Sequence, residues 1–247
     1  MSDTNNGRIQ RFSPAGTFIS LFGTVGSGPG QFREPNGLAT DSKGNIYVAD
    51  TGNHRVQKIT ADGRFISEWR GPAPGFYGPR DIWVSAGDFV YVVDQGRSRI
   101  VKFNENGAVL GAWGSQGSGD NQFDEPTTVT VDAGRDRVYV ADPHHRRISV
   151  FDTKGNFVAK WPVNEWQPAG WSFQDIVIDP VAQRLYLNSP ATDDVLVYDL
   201  EGTKLKTLKS EAPNAFEGVS AITVSNGKLY FVCAFADRVQ QIDLRDK

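Results

Sequence analysis

The chain has 247 residues, of which 39% are hydrophobic and 22% are charged, and this composition excludes a disordered or collagen-like chain. The single cysteine, Cys233, excludes an internal disulfide framework and a cysteine-rich zinc site, and three histidines leave little material for a histidine-based metal site. The net charge of −3 argues against nucleic-acid binding. No apolar run approaches the roughly 18 residues that a bilayer span requires, so we expect a soluble chain without direct membrane insertion.

The predicted strands recur along the chain with one period. β-Branched and aromatic runs that end in Asp, or in a degenerate copy of that pattern, occur at 46–50, 90–94, 138–142, 185–189 and 229–233. The tyrosines in these runs are separated by 44, 48, 47 and 44 residues. A second mark is a glycine in a polar turn, with spacings of 47, 44, 48 and 47, found at Gly16, Gly63, Gly107, Gly155 and Gly202. Two interleaved marks with the same period indicate a structural repeat.

Each period contains four short strand-like runs and no helix-length amphipathic pattern, which is typical of a β-propeller. In the second repeat the runs are 81–85, 89–94, 99–103 and 108–113. A four-stranded blade cannot bury both of its apolar faces alone, so neighbouring blades must stack. We therefore predict an all-β propeller of four-stranded antiparallel blades, forming one domain over residues 1–247. Its predicted parts are a part-blade at 1–22 and repeats at about 36–70, 80–114, 126–161, 174–208 and 219–247.

The strand count bears on the number of blades. The predicted strands number 21, between the totals for a five-bladed and a six-bladed ring, because the part-blade at 1–22 supplies only a third and a fourth strand. We predict six blades, and a five-bladed or incompletely closed ring is the alternative.

The sequence that follows the second strand of the first full repeat resembles that of a known repeat family. Residues 51–59 read Thr-Gly-Asn-His-Arg-Val-Gln-Lys-Ile, and residues 3–12 match the same stretch. This pattern resembles the NHL repeat, although the Asn-His-Leu signature reads Asn-His-Arg here. The resemblance covers nearly the whole chain, is strongest before residue 165 and implies a six-bladed ring. Similar NHL modules occur in bacterial secreted or membrane-linked proteins, so a chain that starts within a repeat is expected to be a module of a larger protein.

An aspartate ends the second strand of several repeats, five residues before an arginine that opens the third strand. At that hairpin the two side chains can meet, and a carboxylate repeated in successive blades points to structure rather than catalysis. We predict a structural loop clamp in each such blade, formed by Asp50 and Arg55, Asp94 and Arg99, and Asp142 and Arg147, with Asp3 and Arg8 as a further copy.

Enzymatic function is the less favoured interpretation. The peptidyl-hydroxyglycine amidating lyases have a similar propeller, in which histidines in a Pro-His-Gly context hold zinc. Here the corresponding positions are Asn36, Arg80, Thr127 and Gln174, so the ligands are missing. We predict no catalytic residue, no metal and no cofactor. The alternative, a metal-dependent lyase or lactonase, would have to use carboxylates near the predicted axis, of which Asp81 and Asp175 are the candidates.

The blade connections and the loops between second and third strands should share one face, which we take as the binding face. These loops carry a net charge of −3, which disfavours the second alternative, the RNA binding seen in NHL domains of the TRIM class. The connections are instead rich in aromatic residues, which suit peptide or sugar binding. We predict a non-catalytic scaffold for a protein, peptide or glycan. The predicted contact residues are Phe76, Tyr77, Arg80, His144, His145, Trp166, Trp171 and Gln174.

Overall fold

The computed structural model describes residues 1–166, 174–209, 218–233 and 238–244. These residues form β-strands joined by turns, and their helices are three-residue 3₁₀ turns, none of which could cross a membrane. The chain separates into two compact units, Met1–Pro126 and Thr127–Lys247, which are described in turn. The expectation of one domain over residues 1–247 stays a prediction.

The first unit contains three antiparallel sheets in chain order. They are β1-β2-β3, β4-β5-β6-β7 and β8-β9-β10-β11. The strands are β1 (Ser2–Asp3), β2 (Arg8–Phe12), β3 (Phe18–Phe22), β4 (Pro35–Thr40), β5 (Ile46–Asp50), β6 (Arg55–Ile59), β7 (Phe65–Trp69), β8 (Pro79–Val84), β9 (Val90–Asp94), β10 (Arg99–Phe103) and β11 (Val109–Trp113).

The second unit has the same organisation among its described residues. Its sheets are β12-β13-β14-β15, β16-β17-β18-β19 and β20-β21-β22. The strands are β12 (Thr128–Asp132), β13 (Arg137–Asp142), β14 (Arg147–Phe151), β15 (Phe157–Pro162), β16 (Ile176–Asp179), β17 (Arg184–Ser189), β18 (Asp194–Tyr198), β19 (Lys204–Leu208), β20 (Val219–Ser225), β21 (Lys228–Cys233) and β22 (Arg238–Asp243).

The all-β architecture and the preference for six blades are confirmed. Each unit contributes three sheets, so the described residues form six, four of them four-stranded and two three-stranded. The count of 21 strands was one too low. The missing strand is β1, whose two polar residues pair with the start of β2, Ser2 opposite Ile9 and Asp3 opposite Arg8. A two-residue strand without apolar side chains carries no periodic signal that could reveal it.

Neighbouring sheets pack through apolar faces to which inner strands and the end of an outer strand contribute. In the first unit, Tyr47, Val56 and Trp69 of the second sheet lie in one buried cluster with Ile82 and Val90 of the third. The second strands are buried along almost their whole length, whereas the outer strands β3, β7 and β11 each expose two or three of their five residues. This difference explains why the Tyr-containing runs are continuously apolar in sequence: both of their faces are covered.

The turn between the third and fourth strands repeats with little variation. Gly107 has a φ of +85°, a conformation that side chains with a Cβ rarely adopt, and its amide donates to the carbonyl of Asn104 at 3.1 Å. The glycine has a second role, because a Cβ at this position would lie 2.2 Å from Nε1 of Trp69 in the preceding sheet. The turn glycine that marks the repeat in sequence therefore also makes room for the aromatic residue that ends the neighbouring fourth strand.

Candidate functional site

A 3₁₀ turn joins the second and third strands of each sheet in the first unit. The turns are Thr4–Asn6, Thr51–Asn53 and Gln95–Arg97. The residue after the turn adopts the left-handed conformation, as in His54 at φ 55°, and its amide donates to the carbonyl of Thr51 at 3.1 Å. Such a position favours glycine or a residue without a β-branch. The turn thereby fixes the main chain from which the His54 side chain extends.

Ion pairs lie where the second strand ends and the third begins. There the predicted aspartate and arginine are directly opposite each other in the strand register. In each pair arginine Nε lies close to one oxygen of the carboxylate. The distances are 2.7 Å for Arg55 and Asp50, 2.7 Å for Arg99 and Asp94, 2.9 Å for Arg147 and Asp142, and 2.7 Å for Arg8 and Asp3. Burial raises the pKa of Asp94, against the opposing effect of hydrogen bonds from the Tyr77 amide and from Arg99.

Asp50 does more than pair with Arg55. Its carboxylate, which is fully buried, also accepts hydrogen bonds from the amide of Arg33 at 2.7 Å, from Asn53 at 2.9 Å and from Gln57 at 3.0 Å. Arg33 belongs to the connection that enters this sheet. One carboxylate therefore holds together the connection, the 3₁₀ turn and the third strand.

The same arrangement recurs one sheet later, with Tyr77 in the place of Arg33. The Tyr77 amide donates to Oδ1 of Asp94 at 2.8 Å, and its carbonyl accepts from the Gly96 amide at 2.9 Å. The carbonyl of Arg33 likewise accepts from the Gly52 amide at 2.9 Å. We call the 3₁₀ turns of this unit, together with connections 23–34 and 70–78, the loop end. At the loop end, two equivalent positions have a fixed main chain and an exposed side chain, Arg33 and Tyr77.

Tyr77 forms an aromatic platform with His54. The tyrosine side chain is 58% exposed, and the two rings stack with centroids 5.3 Å apart and planes 25° from parallel. The Gly78 amide donates to Nδ1 of His54 at 3.0 Å, which leaves the proton of the neutral ring on Nε2. The platform is therefore oriented by a main-chain hydrogen bond to the His54 ring and by the fixed main chain of Tyr77, and it presents one broad aromatic surface.

The connection below the platform is braced from several directions. Phe76 is buried and packs on Phe103 with ring centroids 5.9 Å apart. The carbonyl of Gly75 accepts from Nε of Arg97 at 2.7 Å and from a terminal nitrogen of Arg99 at 3.0 Å. A connection held in this way loses little further conformational freedom when a ligand binds.

Three predicted contact residues are not surface residues. Phe76, Trp166 and Gln174 are 5%, 1% and 3% exposed, so as predicted surface contacts they were wrong. Trp166 is buried because its indole N–H donates to the carbonyl of Asn188 at 2.9 Å, which satisfies the polar end of the ring inside the second unit. The fourth residue, Trp171, lies outside the described residues.

The remaining predicted contacts divide between the two units. Arg80 is half-buried at the start of β8, close in sequence to Tyr77. In the second unit His144 is exposed, and Nδ1 of His145 lies 2.9 Å from Oδ2 of Asp142. The adjacent Arg146 accepts a hydrogen bond at its carbonyl from the Val163 amide at 2.7 Å, which ties this turn to the connection that carries Trp166. The sequence did not reveal His54 as the partner of Tyr77, because their contact depends on the shape of the turn.

The positions considered for metal chemistry have structural partners. The side-chain amide of Asn36 donates to Oγ1 of Thr51 at 2.9 Å and to the Glu34 carbonyl at 3.0 Å. Oδ2 of Asp175 accepts from the Ile222 amide at 2.8 Å. Across the described ranges, no cluster of three or more His, Cys, Asp or Glu side chains could hold a metal ion.

Sequence comparison identifies relatives for part of the chain. The NHL repeat family matches residues 32–59. The B-box type zinc finger protein ncl-1 of Caenorhabditis elegans is 28% identical over 150 residues, which cover 59% of this chain and 17% of that protein. Protein brain tumor of Drosophila melanogaster is also 28% identical over 150 residues, covering 57% of this chain and 13% of its own length. The match thus spans less than a fifth of each of these two relatives.

Solved structures match the fold over almost the whole chain. A chain of a nidogen/laminin complex has a TM-score of 0.73 and 17% identity, covering 98% of this chain and 88% of its own length. A catalytically inactive virginiamycin B lyase from Staphylococcus aureus with quinupristin has a TM-score of 0.69 and 15% identity, covering 100% and 87%. At these identities the likeness concerns the fold alone.

The six sheets and these matches define the class of protein as a β-propeller built from small antiparallel blades. The repeat match and the relatives add to this: residues 32–59 match the NHL repeat, and the chain is similar to NHL-repeat β-propellers. The family resemblance found in the sequence is confirmed.

Proposed function

We propose that the chain is a non-catalytic scaffold that binds a protein or peptide at the loop end of the first unit, with Tyr77 as the anchor. The observation that carries this proposal is the combination of a 58% exposed tyrosine ring with a main chain fixed at both its amide and its carbonyl. Tyrosine is enriched at protein interfaces, and a rigid aromatic anchor loses little entropy on binding.

The surroundings of Tyr77 support a protein ligand. His54 extends the aromatic surface, while Arg33 is exposed and Arg80 half-exposed on the same unit. Arginine and tyrosine are the residue types that most often dominate binding energy at interfaces. A similar propeller is a component of a nidogen/laminin complex, which supports the use of this fold in protein assembly. A glycan stacked on the same platform is the second ligand class within this proposal.

Replacing Tyr77 with alanine is expected to weaken binding by about 30-fold or more while leaving the fold intact. The ring is exposed and its main-chain hydrogen bonds do not involve the side chain, so the circular dichroism spectrum and melting temperature should change little. Loss of a central aromatic anchor typically costs 2 kcal/mol or more, which is about a 30-fold loss of affinity. The measurement is binding of the wild type and the variant to a peptide array and a glycan array, followed by titration of the strongest probe.

Phe18→Ala is the matched control for this experiment. Phe18 is 52% exposed on the outer strand β3, outside the loop end, so its removal should leave array binding unchanged. Equal binding by the wild type and Tyr77→Ala would contradict the proposed site. An equal loss of affinity in Tyr77→Ala and Phe18→Ala would contradict its location at the loop end.

Added zinc or calcium is expected to leave the melting temperature unchanged. A metal that binds only the folded protein raises stability by about 2.7 kcal/mol at a hundredfold excess over Kd, an effect visible in a thermal melt. The measurement compares protein dialysed against a chelator with the same protein after metal addition, together with the metal content of the purified sample. Stoichiometric metal, or a clear rise in melting temperature, would favour the metal-dependent enzyme instead.

A further inference from the structure

A cavity in the second unit arises from one substitution within the repeat. In the second sheet of the chain, the fourth residue of the third strand is Lys58, whose Nζ lies 4.8 Å above the Tyr47 ring and 3.1 Å from Oδ2 of Asp41. The same nitrogen donates to the carbonyl of Glu105 in the turn of the next sheet, at 3.2 Å. The lysine side chain therefore fills the groove between its own sheet and that turn.

The third sheet keeps this lysine and the fourth sheet does not. Nζ of Lys102 in β10 lies 4.8 Å from the Phe89 ring and 5.3 Å from the Tyr91 ring. The corresponding residue of β14 is Val150, whose side chain is shorter than that of lysine and leaves the groove beside the buried Tyr139 unfilled. A cavity of about 410 Å³ opens there, within the range of roughly 300–1,000 Å³ that small-molecule sites occupy. It is lined by Arg135, Arg137, Tyr139, Val150, Val158, Ala159, Trp161, Leu200 and Glu201.

In the second sheet Lys58 contacts the Asp41 carboxylate and the Glu105 carbonyl. The equivalent groups of the fourth sheet have other partners. Asp132, which corresponds to Asp41, pairs with Arg135 at 2.9 Å. The Leu200 carbonyl, which corresponds to that of Glu105, accepts from the Tyr139 hydroxyl at 3.4 Å. The Asp132 carboxylate and the Leu200 carbonyl therefore already have hydrogen-bond partners. We do not expect a cation to occupy the space that the lysine would fill.

Among the described residues, one cationic group of the cavity forms no ion pair with a carboxylate. Arg137 is half-buried, and in the part of the chain that the structure describes its guanidinium donates only to the carbonyls of Asp136, at 2.9 Å, and Arg135, at 3.3 Å. Glu201, the acidic residue of the lining, is exposed at the rim. Arg135 also lines the cavity and pairs with Asp132, and the rest of the lining is apolar or aromatic: Val150, Val158, Ala159, Leu200 and the rings of Tyr139 and Trp161.

We propose that this cavity is a binding site for a small apolar carboxylate, whose body lies against Val150, Val158 and Leu200 and whose carboxylate pairs with Arg137. A planar guanidinium binds a carboxylate through two parallel hydrogen bonds, and a partly desolvated pair of this kind is stronger than one in open solvent. The site lies wholly within the second unit and is separate from the Tyr77 platform, so it does not depend on the function proposed above.

The test uses 3-phenylpropionate as the probe, with 3-phenylpropanamide and 3-phenylpropan-1-amine as neutral and cationic analogues of equal length. Nuclear magnetic resonance titrations should give a submillimolar Kd for the carboxylate and a Kd about tenfold weaker for the amide. Arg137→Gln should weaken carboxylate binding about tenfold and leave amide binding unchanged. Val150→Lys, which restores the side chain of the second and third sheets, should abolish binding of all three probes.

Arg64→Gln is the control, because Arg64 is an exposed arginine of the first unit that pairs with Asp62. It should bind the probe as the wild type does. If Val150→Lys fails to fold, Arg137→Gln alone decides the question. The proposal is overturned if the carboxylate does not bind at millimolar concentration, if the amine binds more tightly than the carboxylate, or if Arg137→Gln leaves the Kd of the carboxylate unchanged.

Discussion

Replacing Asp50 with alanine is expected to lower the free energy of unfolding by about 4 kcal/mol, because it leaves buried donors without their acceptor. The Arg55 side chain is 2% exposed and would keep Glu68 as its carboxylate partner, at a distance of 2.5 Å. The Gln57 side chain and the Arg33 amide would each lose a hydrogen bond to Asp50. Asp50→Asn retains one acceptor oxygen and should cost less.

Urea unfolding followed by tryptophan fluorescence measures this effect. Asp62→Ala is the matched control, because Asp62 forms an ion pair of the same type with Arg64 in which the two side chains are 55% and 81% exposed. Exposed pairs contribute little, so this variant should unfold at the urea concentration of the wild type. A shift for Asp50→Ala no larger than that of Asp62→Ala would show that the buried pair is not what holds the turn.

Replacing Gly107 with alanine is expected to cost about 3 kcal/mol, and Gly16→Ala only about 1 kcal/mol. Both glycines occupy the same turn of the repeat, with φ of +85° and +81°, so both variants bear the strain of a left-handed alanine, about 1–2 kcal/mol. At Gly107 the added methyl group would also lie 2.2 Å from Nε1 of Trp69, whereas nothing lies within 4 Å of the corresponding point at Gly16. Overpacking of a buried contact adds about 1–3 kcal/mol.

The difference between the two glycine variants isolates the packing contribution. Both are measured by urea unfolding under identical conditions, and a shift in near-ultraviolet circular dichroism should accompany Gly107→Ala, because the environment of Trp69 changes. Equal destabilisation by the two substitutions would mean that Trp69 moves aside without cost.

Much of the fold could be predicted because the same strand and turn signals recur in successive repeats of the sequence. The Tyr-containing strands are covered on both faces, which makes them continuously apolar, and the turn glycines mark each hairpin. The five-residue offset between Asp50 and Arg55 corresponds to their pairing in the strand register, so the sequence could also anticipate that these side chains face each other.

The candidate site was less predictable because it depends on the direction of single side chains. Phe76 and Tyr77 are adjacent and both aromatic, yet one is buried and the other 58% exposed, and both lie in an irregular connection that has no periodic pattern. Composition cannot distinguish them without the register. Trp166 looked equally available in sequence, and only the acceptor offered by Asn188 explains its burial. The cavity near Val150 required a comparison of equivalent positions in three sheets.

The equivalence of Arg33 and Tyr77 has a consequence for how such repeats diversify. Asp50 and Asp94 hold the connections by main-chain amides alone, so the identity of the attached side chain is irrelevant to the fastening. Connections of different length and composition end at this equivalent position. The residue there can be substituted without changing the sheet on which the connection packs. Substitutions at this position, in evolution or by design, can therefore change the binding properties of one blade at a time.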